Sequence, residues 1–181
     1  MSDRFGAILR RCVRGNLAPM KEVELLASGP LARFCDWPNS TIPLVAAGVY
    51  TVWDDARLIY AGMAGRSLTR EAIVERRQSA VVKGLRQRLG SHASGRRSGD
   101  QFCVYVADRL VLTTLSSSEI TQIGAGELSL DALVRRYIHQ HLSYRWVEMP
   151  DGISAYALEV QVCRGVLAAG LPFLNARRPA S

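Results

Sequence analysis

The segment LVAAGVYTVWDDARLIYAG, residues 44–62, decides the fold of this chain. Leu44–Trp53 and Arg57–Ala61 are rich in β-branched and aromatic residues, and the polar triplet Asp54-Asp55-Ala56 separates them. Two such runs around a short polar break predict a β-hairpin.

The hairpin carries one tyrosine on each strand, Tyr50 and Tyr60. Side chains alternate along a strand, so the loop length decides whether the two phenols share a face. A three-residue loop pairs Trp53 with Arg57, and Tyr50 with Tyr60, which places both phenols on one face. A two-residue loop places them on opposite faces, and the sequence leaves both arrangements open. Taken alone, tyrosines in strands are more often ordinary β-formers than catalysts.

Outside the hairpin, the residue pattern predicts mostly helices. They are expected over residues 1–28 with a break near 15–19, 68–89, 116–123, 130–141 and 154–169. Further strands are expected over 102–106, extending to 112, and 144–149, and loops over 30–43 and 91–100. The 181 residues show no repeat or linker, so we expect one globular α+β unit with an antiparallel sheet. Residues 1–43 would form an N-terminal helical extension of the domain 44–181.

The composition is typical of a folded protein in a reducing compartment. The 48% hydrophobic and 22% charged fractions argue against disorder. No apolar run reaches the roughly 18 residues of a membrane helix, and the N-terminus lacks a secretory signal. The four cysteines are far apart, which favours free thiols over a disulfide framework or a zinc site. We therefore expect a cytoplasmic protein with no membrane partner.

The net charge of +7 is concentrated in one segment. Nine basic and two acidic residues lie between Arg66 and Arg97, whereas the rest of the chain has 14 of each sign. Codon bias can explain why 21 of the 23 basic residues are arginines, but not their clustering. Guanidinium groups match phosphate bidentately, so the segment predicts a polyanionic partner.

Three further polar residues are candidates for chemistry. Arg88 and His92 are four residues apart, on one helix face if the helix persists through Gly90. Arginine can bind a phosphate, and histidine can carry a proton near neutral pH. Glu159 lies in an otherwise apolar helix, where a buried carboxylate needs a partner or a metal. Taken singly, a solvated basic helix and a solvent-facing glutamate are the commoner explanations.

The order of these residues resembles the GIY-YIG nuclease family. The matching set is Gly48-Val49-Tyr50, Tyr60-Ala61-Gly62, Arg88 with His92, Glu159, Pro172 and Asn175. The resemblance covers about residues 46–175 and implies a central three-stranded antiparallel sheet flanked by helices. Residues 102–112 and 144–149 are both candidates for the third strand.

The resemblance implies a metal-dependent endonuclease that hydrolyses DNA phosphodiester bonds in restriction, phage defence or DNA processing. Tyr50 would orient or deprotonate the attacking water, and Tyr60 would position water or phosphate. Glu159 would hold Mg²⁺ or Mn²⁺. The remaining roles are charge stabilisation by Arg88, proton relay by His92 and support of the site geometry by Asn175.

Two departures from the family pattern concern the cations of the site. Many members have a lysine directly after the second tripeptide, where this chain has Met63, so Arg66 or Arg88 would supply the charge. The interval from Gly62 to Arg88 is long, as in family members among type II restriction enzymes that carry an insertion here. Arg66 is therefore a rival catalytic arginine, but the spacing to His92 favours Arg88.

The other basic residues are predicted to contact the DNA backbone without reading its sequence. They are Arg66, Arg76, Arg77, Lys83, Arg86, Arg96 and Arg97. Double-stranded DNA is the expected partner. Symmetric cleavage would require a homodimer or two encounters, because one such site cuts one strand. The alternative is a catalytically inactive DNA-binding module of the same fold.

Overall fold

The computed structural model describes residues 20–77 and 80–175, which form an α+β fold with five strands and seven α-helices. The strands are β1 Ala32–Arg33, β2 Val45–Asp54, β3 Arg57–Ala64, β4 Lys83–Gly84 and β5 Leu142–Met149. The helices are α1 Met20–Ser28, α2 Arg70–Arg77, α3 Leu85–Ser94, α4 Gln101–Val106, α5 Ser117–Gly124, α6 Leu130–His141 and α7 Gly152–Cys163. None of these helices is long and apolar enough to cross a membrane.

The predicted hairpin is present, but its connection is the shorter of the two considered. Asp54 pairs with Arg57 across a two-residue turn, in which Asp55 adopts a φ of 51°. The register then shifts between Trp53 and Val52, so that β3 contains one extra residue. This β-bulge moves every later pair by one position.

The bulge decides where the two tyrosines lie. Val52 pairs with Tyr60, and Tyr50 pairs with Gly62. Because Tyr50 and Val52 are two residues apart on β2, Tyr60 shares the face of Tyr50. The three-residue loop with direct pairing of the tyrosines was wrong, and so was the expectation that a two-residue loop would separate them. The two-residue turn alone would have placed Tyr60 on the opposite face from Tyr50. The extra residue in β3 returns it to the same face.

β2 is the central strand of the sheet. The strand order is β1-β5-β2-β3 with antiparallel neighbours, and β4 adds a short parallel pairing to β2. β5 confirms the strand predicted over residues 144–149. At the outer edge of β3, the amides of Phe173 and Leu174 donate to the carbonyls of Leu58 and Ile59, at 3.3 and 2.6 Å.

The strand predicted over residues 102–106, with its extension to 112, was wrong. These residues form α4 and continue into a π-helical turn, Ala107–Val111. An apolar run rich in aromatic and β-branched residues fits a buried strand and a buried helix equally well. Asp100 favours the helix, since its side chain accepts a hydrogen bond from the Phe102 amide at 3.1 Å and caps the first turn.

The helix predicted over residues 68–89 is two helices, and the loop predicted over 91–100 is helical up to Ser94. α2 ends at Arg77, and Gly84 directly before α3 has a φ of 86°, where a Cβ would collide with the Ala46 carbonyl. α3 runs through Gly90 and ends at Gly95, which adopts a left-handed conformation. Residues 88 and 92 therefore lie one turn apart on the same helix.

The remaining helices agree more closely with the predictions. α5 and α6 confirm the helices expected over 116–123 and 130–141, whereas the helix expected over 154–169 ends at Cys163. α1 confirms the last third of the helix expected over 1–28, and residues 1–19 lie outside the described part. The expected loop 30–43 contains β1 and a 3₁₀ turn at Phe34–Asp36.

Helices cover both faces of the sheet. The face that carries Tyr50 and Tyr60 packs against α3, α4 and α6. The opposite face packs against α1, α2 and α7, with Trp53 and Leu158 among the buried residues. The candidate catalytic tyrosines thus point towards the helix that carries residues 88 and 92.

Candidate active site

The two hairpin tyrosines lie side by side. Tyr50 is 2% exposed, Tyr60 is half-buried, and their ring centroids are 6.3 Å apart. Gly62 faces Tyr50 across the strand pair, and a Cβ at Gly62 would collide with the Tyr50 hydroxyl. The glycine of the second tripeptide therefore makes room for the tyrosine of the first.

His92 reaches the tyrosines from α3. Leu85 and Leu89 are buried on the same helix and hold it against the sheet. The Nε2 atom of His92 lies 2.7 Å from the hydroxyl oxygen of Tyr50, and its ring stands nearly perpendicular to that of Tyr60. Since His92 is 2% exposed, the Tyr50 hydroxyl and His92 meet in the interior. The structure thus brings together the tyrosines and His92 that the sequence pattern grouped.

Asp100 completes this buried group, and sequence reasoning missed it. Its Oδ2 lies 2.7 Å from His92 Nδ1 and accepts a hydrogen bond from Ser91 Oγ at 2.7 Å. Its Oδ1 is the acceptor that caps α4. The signal was an aspartate just before an apolar run, which marks a helix N-terminus once the run is taken as a helix.

The protonation states of His92 and Asp100 follow from their surroundings. Burial lowers the pKa of His92, and the hydrogen bond to Asp100 only partly opposes this effect. Burial alone would raise the pKa of Asp100, but hydrogen bonds from His92 and Ser91 lower it below its usual range. A neutral imidazole therefore faces an ionised carboxylate.

Both phenols hold their protons tightly. Burial raises the pKa of Tyr50 well above its usual value, and the neighbouring Tyr60 adds to the effect. Burial also raises the pKa of Tyr60, with further contributions from Asp100 and Glu159. Arg88 lowers both pKa values but does not offset burial. In the free protein, Arg88 therefore does not make either tyrosine an easy base at neutral pH.

Of the two candidate arginines, Arg88 is the one that lowers the pKa of both tyrosines by its charge. The guanidinium of Arg88 is exposed one turn before His92, and it shifts the pKa of both phenols. Arg66 instead stacks on the ring of Tyr156 at 4.0 Å, on α7. The Met63 side chain packs on the opposite face of the sheet and therefore points away from the two phenols.

Glu159 lies half-buried on α7 and acts electrostatically on both tyrosines. It is the carboxylate that the sequence pattern assigned to a divalent cation. Mg²⁺ and Mn²⁺ are hard cations that bind carboxylate oxygen, and Mg²⁺ often uses only one or two protein carboxylates beside water and phosphate. A partly solvent-accessible carboxylate that acts electrostatically on both phenols fits such an ion.

A second group of metal-ligand type consists of His92, Asp100 and Cys103, whose ligand atoms lie within 4.8 Å of one another. All three residues are buried. The Cys103 thiol donates to the His92 carbonyl at 3.6 Å, and burial raises the pKa of this thiol. A metal would have to displace the thiol proton and the His92–Asp100 hydrogen bond, so the group is better described as a hydrogen-bonded core.

Asn175 fixes the second tripeptide from outside the sheet. Its Oδ1 accepts from the Ala61 amide, and its Nδ2 donates to the Ala61 carbonyl, both at 2.8 Å. Through these bonds the side chain holds the backbone next to Tyr60. These contacts are to backbone, and the role of Asn175 in supporting the site geometry stays a prediction.

The predicted DNA-contacting residues are only partly available on the surface. Arg77 is paired with Glu148, and Arg97 donates to Asp131 at 2.6 Å. The exposed members of the set are Arg66, Arg76, Arg77 and Arg96, and the half-buried ones are Lys83, Arg86 and Arg97. Salt bridges at the surface are weak, so phosphate can still compete for the paired arginines.

Comparison of the chain with models of protein families, with curated proteins and with solved structures gives no match.

Proposed function

We propose that this protein is a metal-dependent endonuclease of the GIY-YIG type that hydrolyses DNA phosphodiester bonds. The observation that carries the proposal is the 2.7 Å contact between the Tyr50 hydroxyl and His92, residues 42 positions apart. The resemblance assigned both residues to one active site. Arg88 and Glu159 act electrostatically on the same phenol, as expected if they share that site.

Tyr50 would activate the attacking water with the help of His92. Because its pKa is raised, the phenol must give up its own proton before it can accept one from water. We expect the Tyr50 proton to pass to His92 Nε2 while a water proton passes to the phenol oxygen. The hydroxide then attacks phosphorus, the bond to the leaving oxygen breaks, and that oxygen takes a proton from solvent. Since Tyr50 is 2% exposed, the attacking water has to reach a hydroxyl that lies in the interior.

Arg88 would bind the scissile phosphate. Arg88 is exposed one turn before the buried histidine on α3, and its fork of donors matches phosphate oxygens. There it would stabilise the negative charge that develops in the transition state. The half-buried Tyr60 would orient the phosphate or the water beside it.

Glu159 would hold the divalent cation. When bound, the cation would polarise the phosphate and neutralise charge on the leaving oxygen. Asp100 is a poorer candidate, because it is 2% exposed and its oxygens accept three hydrogen bonds. Glu159 is therefore the carboxylate whose removal tests the metal requirement.

Nicking of supercoiled plasmid tests the proposal. We expect cleavage with Mg²⁺ or Mn²⁺, none with EDTA, and a loss of about 100-fold or more in Glu159→Gln. The matched control is Glu127→Gln at an exposed glutamate after α5, which should cleave at the native rate. A linear product from a single encounter would indicate that two copies act together. Native rates in Glu159→Gln would contradict the assignment.

A catalytically inactive DNA-binding module is the second candidate. The observations that favour it are Met63 in place of the family's lysine and the raised pKa of both phenols. Such a module would retain plasmid DNA in a salt-dependent manner. Retention without cleavage in the presence of any divalent cation would support it against the nuclease.

A further inference from the structure

We propose that Asp100 is a positioning residue that keeps the proton of His92 on Nδ1, so that Nε2 faces Tyr50 as an acceptor. The catalytic consequence rests on the proposed nuclease function. The geometric part rests on hydrogen bonds alone and can be tested without DNA.

His92 lies between two partners that differ in what they can donate. Asp100 Oδ2 is 2.7 Å from Nδ1, and the Tyr50 hydroxyl is 2.7 Å from Nε2. A neutral imidazole has one N–H group, an ionised carboxylate only accepts, and a phenol can donate. Both contacts are hydrogen bonds only if Nδ1 carries the proton and Tyr50 donates to Nε2. The other tautomer would set two acceptors against each other at Asp100.

The carboxylate is itself held in place. Ser91 Oγ donates to the same Oδ2 atom at 2.7 Å, and the Phe102 amide donates to Oδ1 at 3.1 Å. Asp100 is 2% exposed, so no bulk water competes for its oxygens. The residue that begins α4 therefore also sets the orientation of His92.

This arrangement has a consequence for the proposed reaction. When the Tyr50 proton moves to Nε2, His92 becomes an imidazolium and keeps its Nδ1 proton. Asp100 then stabilises the new positive charge at 2.7 Å, as buried carboxylates do behind the histidine base of hydrolases. Without this carboxylate, burial would oppose the charge on His92.

Nitrogen NMR of the histidine side chains in ¹⁵N-labelled protein tests the tautomer. We expect His92 to carry its proton on Nδ1 in the native protein. In Asp100→Asn, the amide oxygen can still cap α4, since asparagine caps helices as well as aspartate. The amide NH₂ then faces Nδ1 and should shift the proton to Nε2. An Nε2–H tautomer in the native protein, or an unchanged tautomer in the variant, would overturn the proposal.

Plasmid nicking tests the catalytic part. We expect Asp100→Asn to lower the single-turnover rate by about 100-fold or more, with DNA affinity retained. The matched control is Asp151→Asn, which caps α7 through the Ser154 amide at 2.7 Å and should stay within about twofold of the native rate. A native rate in Asp100→Asn would overturn the catalytic part. If that variant does not fold, or if the native protein cuts no DNA, the native tautomer alone decides the inference.

Discussion

The two faces of β2 carry two buried hydrogen-bond chains that start from neighbouring residues. On one face, the Tyr50 hydroxyl contacts His92 at 2.7 Å, and Asp100 continues the chain. On the other face, the Trp53 indole donates to the Thr51 hydroxyl at 2.8 Å, and that hydroxyl donates to the backbone of α1 at 3.0 Å. Bond lengths and burial are similar on the two sides.

The chains differ in whether they can move a proton. The indole and the hydroxyl keep their protons at neutral pH and the backbone carbonyl only accepts, so the Thr51 chain can only hold α1 and the sheet together. The Tyr50 chain contains an imidazole, which is the side chain suited to accepting a proton near neutral pH, and an ionised carboxylate that can stabilise its charged form. A buried hydrogen-bond chain is therefore not in itself a sign of function. Titratable members whose pKa values are shifted by specific neighbours are a better sign.

The largest difference is expected between Tyr50→Phe and Thr51→Val. Tyr50→Phe keeps the ring but removes the proton path, so nicking should fall by about 1000-fold or more. Thr51→Val should cleave at the native rate. Single-turnover rates on plasmid check both, and an equal loss in the two variants would remove the functional distinction between the chains.

The next effect concerns the two arginines. Arg88→Ala should lower the cleavage rate by about 100-fold, because Arg88 lies on the side of the Tyr50 chain. Arg66→Ala should change mainly the DNA affinity, by less than about tenfold, since Arg66 stacks on Tyr156. Cleavage rates measured at saturating enzyme separate a loss of rate from a loss of DNA affinity. A larger rate loss in Arg66→Ala would return the catalytic role to Arg66.

A smaller effect is expected on the pH dependence of stability. Burial lowers the pKa of His92 below 6.5, so the unfolded chain takes up a proton before the folded one. The free energy of unfolding should be retained above pH 6.5 and fall below it, by up to about 1.4 kcal/mol per pH unit. Asp100, whose pKa is also lowered, adds a further loss near and below pH 3.8.

Urea unfolding at a series of pH values measures this dependence. His92→Gln should flatten the decline below pH 6.5, whereas His141→Gln, at an exposed histidine, should leave it unchanged. A native slope in His92→Gln would show that other groups cause the decline.

The smallest effect is expected for the stability of Thr51→Val. This substitution keeps the shape of the side chain but leaves the Trp53 indole without its acceptor, at a cost of about 1 kcal/mol. The cost should not depend on pH between 5 and 8, because no titratable group takes part. The free energy of unfolding of this variant should still decline towards acid, as it does in the native chain. A cost of the substitution that changes with pH would contradict the comparison of the two hydrogen-bond chains.

Local patterns were enough to predict much of the fold. The hairpin, β5, α5 and α6 follow from alternation, helical periodicity and turn residues. α4 was mistaken for a strand because the run Phe-Cys-Val-Tyr-Val has no polar position that would show a helical or a strand period. The bulge in β3 was not predictable, because the extra residue is selected by packing of the sheet and not by a local turn signal.

The candidate site was also predicted only in part. Tyr50 and His92 were grouped by their order along the chain, and the structure brings them together. Asp100 was not included, since its role depends on α3 continuing to Ser94 and on a helix starting at Gln101. Errors in two helix boundaries were enough to hide the residue that contacts His92.

The contact of residues 173–175 with β3 has a consequence for solubility. β3 is the last strand on its side of the sheet, and an uncovered outer strand can pair with strands of other molecules. Phe173 and Leu174 satisfy part of this edge, and Asn175 occupies both backbone groups of Ala61. A chain shortened to Pro172 would therefore present the second tyrosine tripeptide as a docking edge for other copies, and light scattering should detect its self-association.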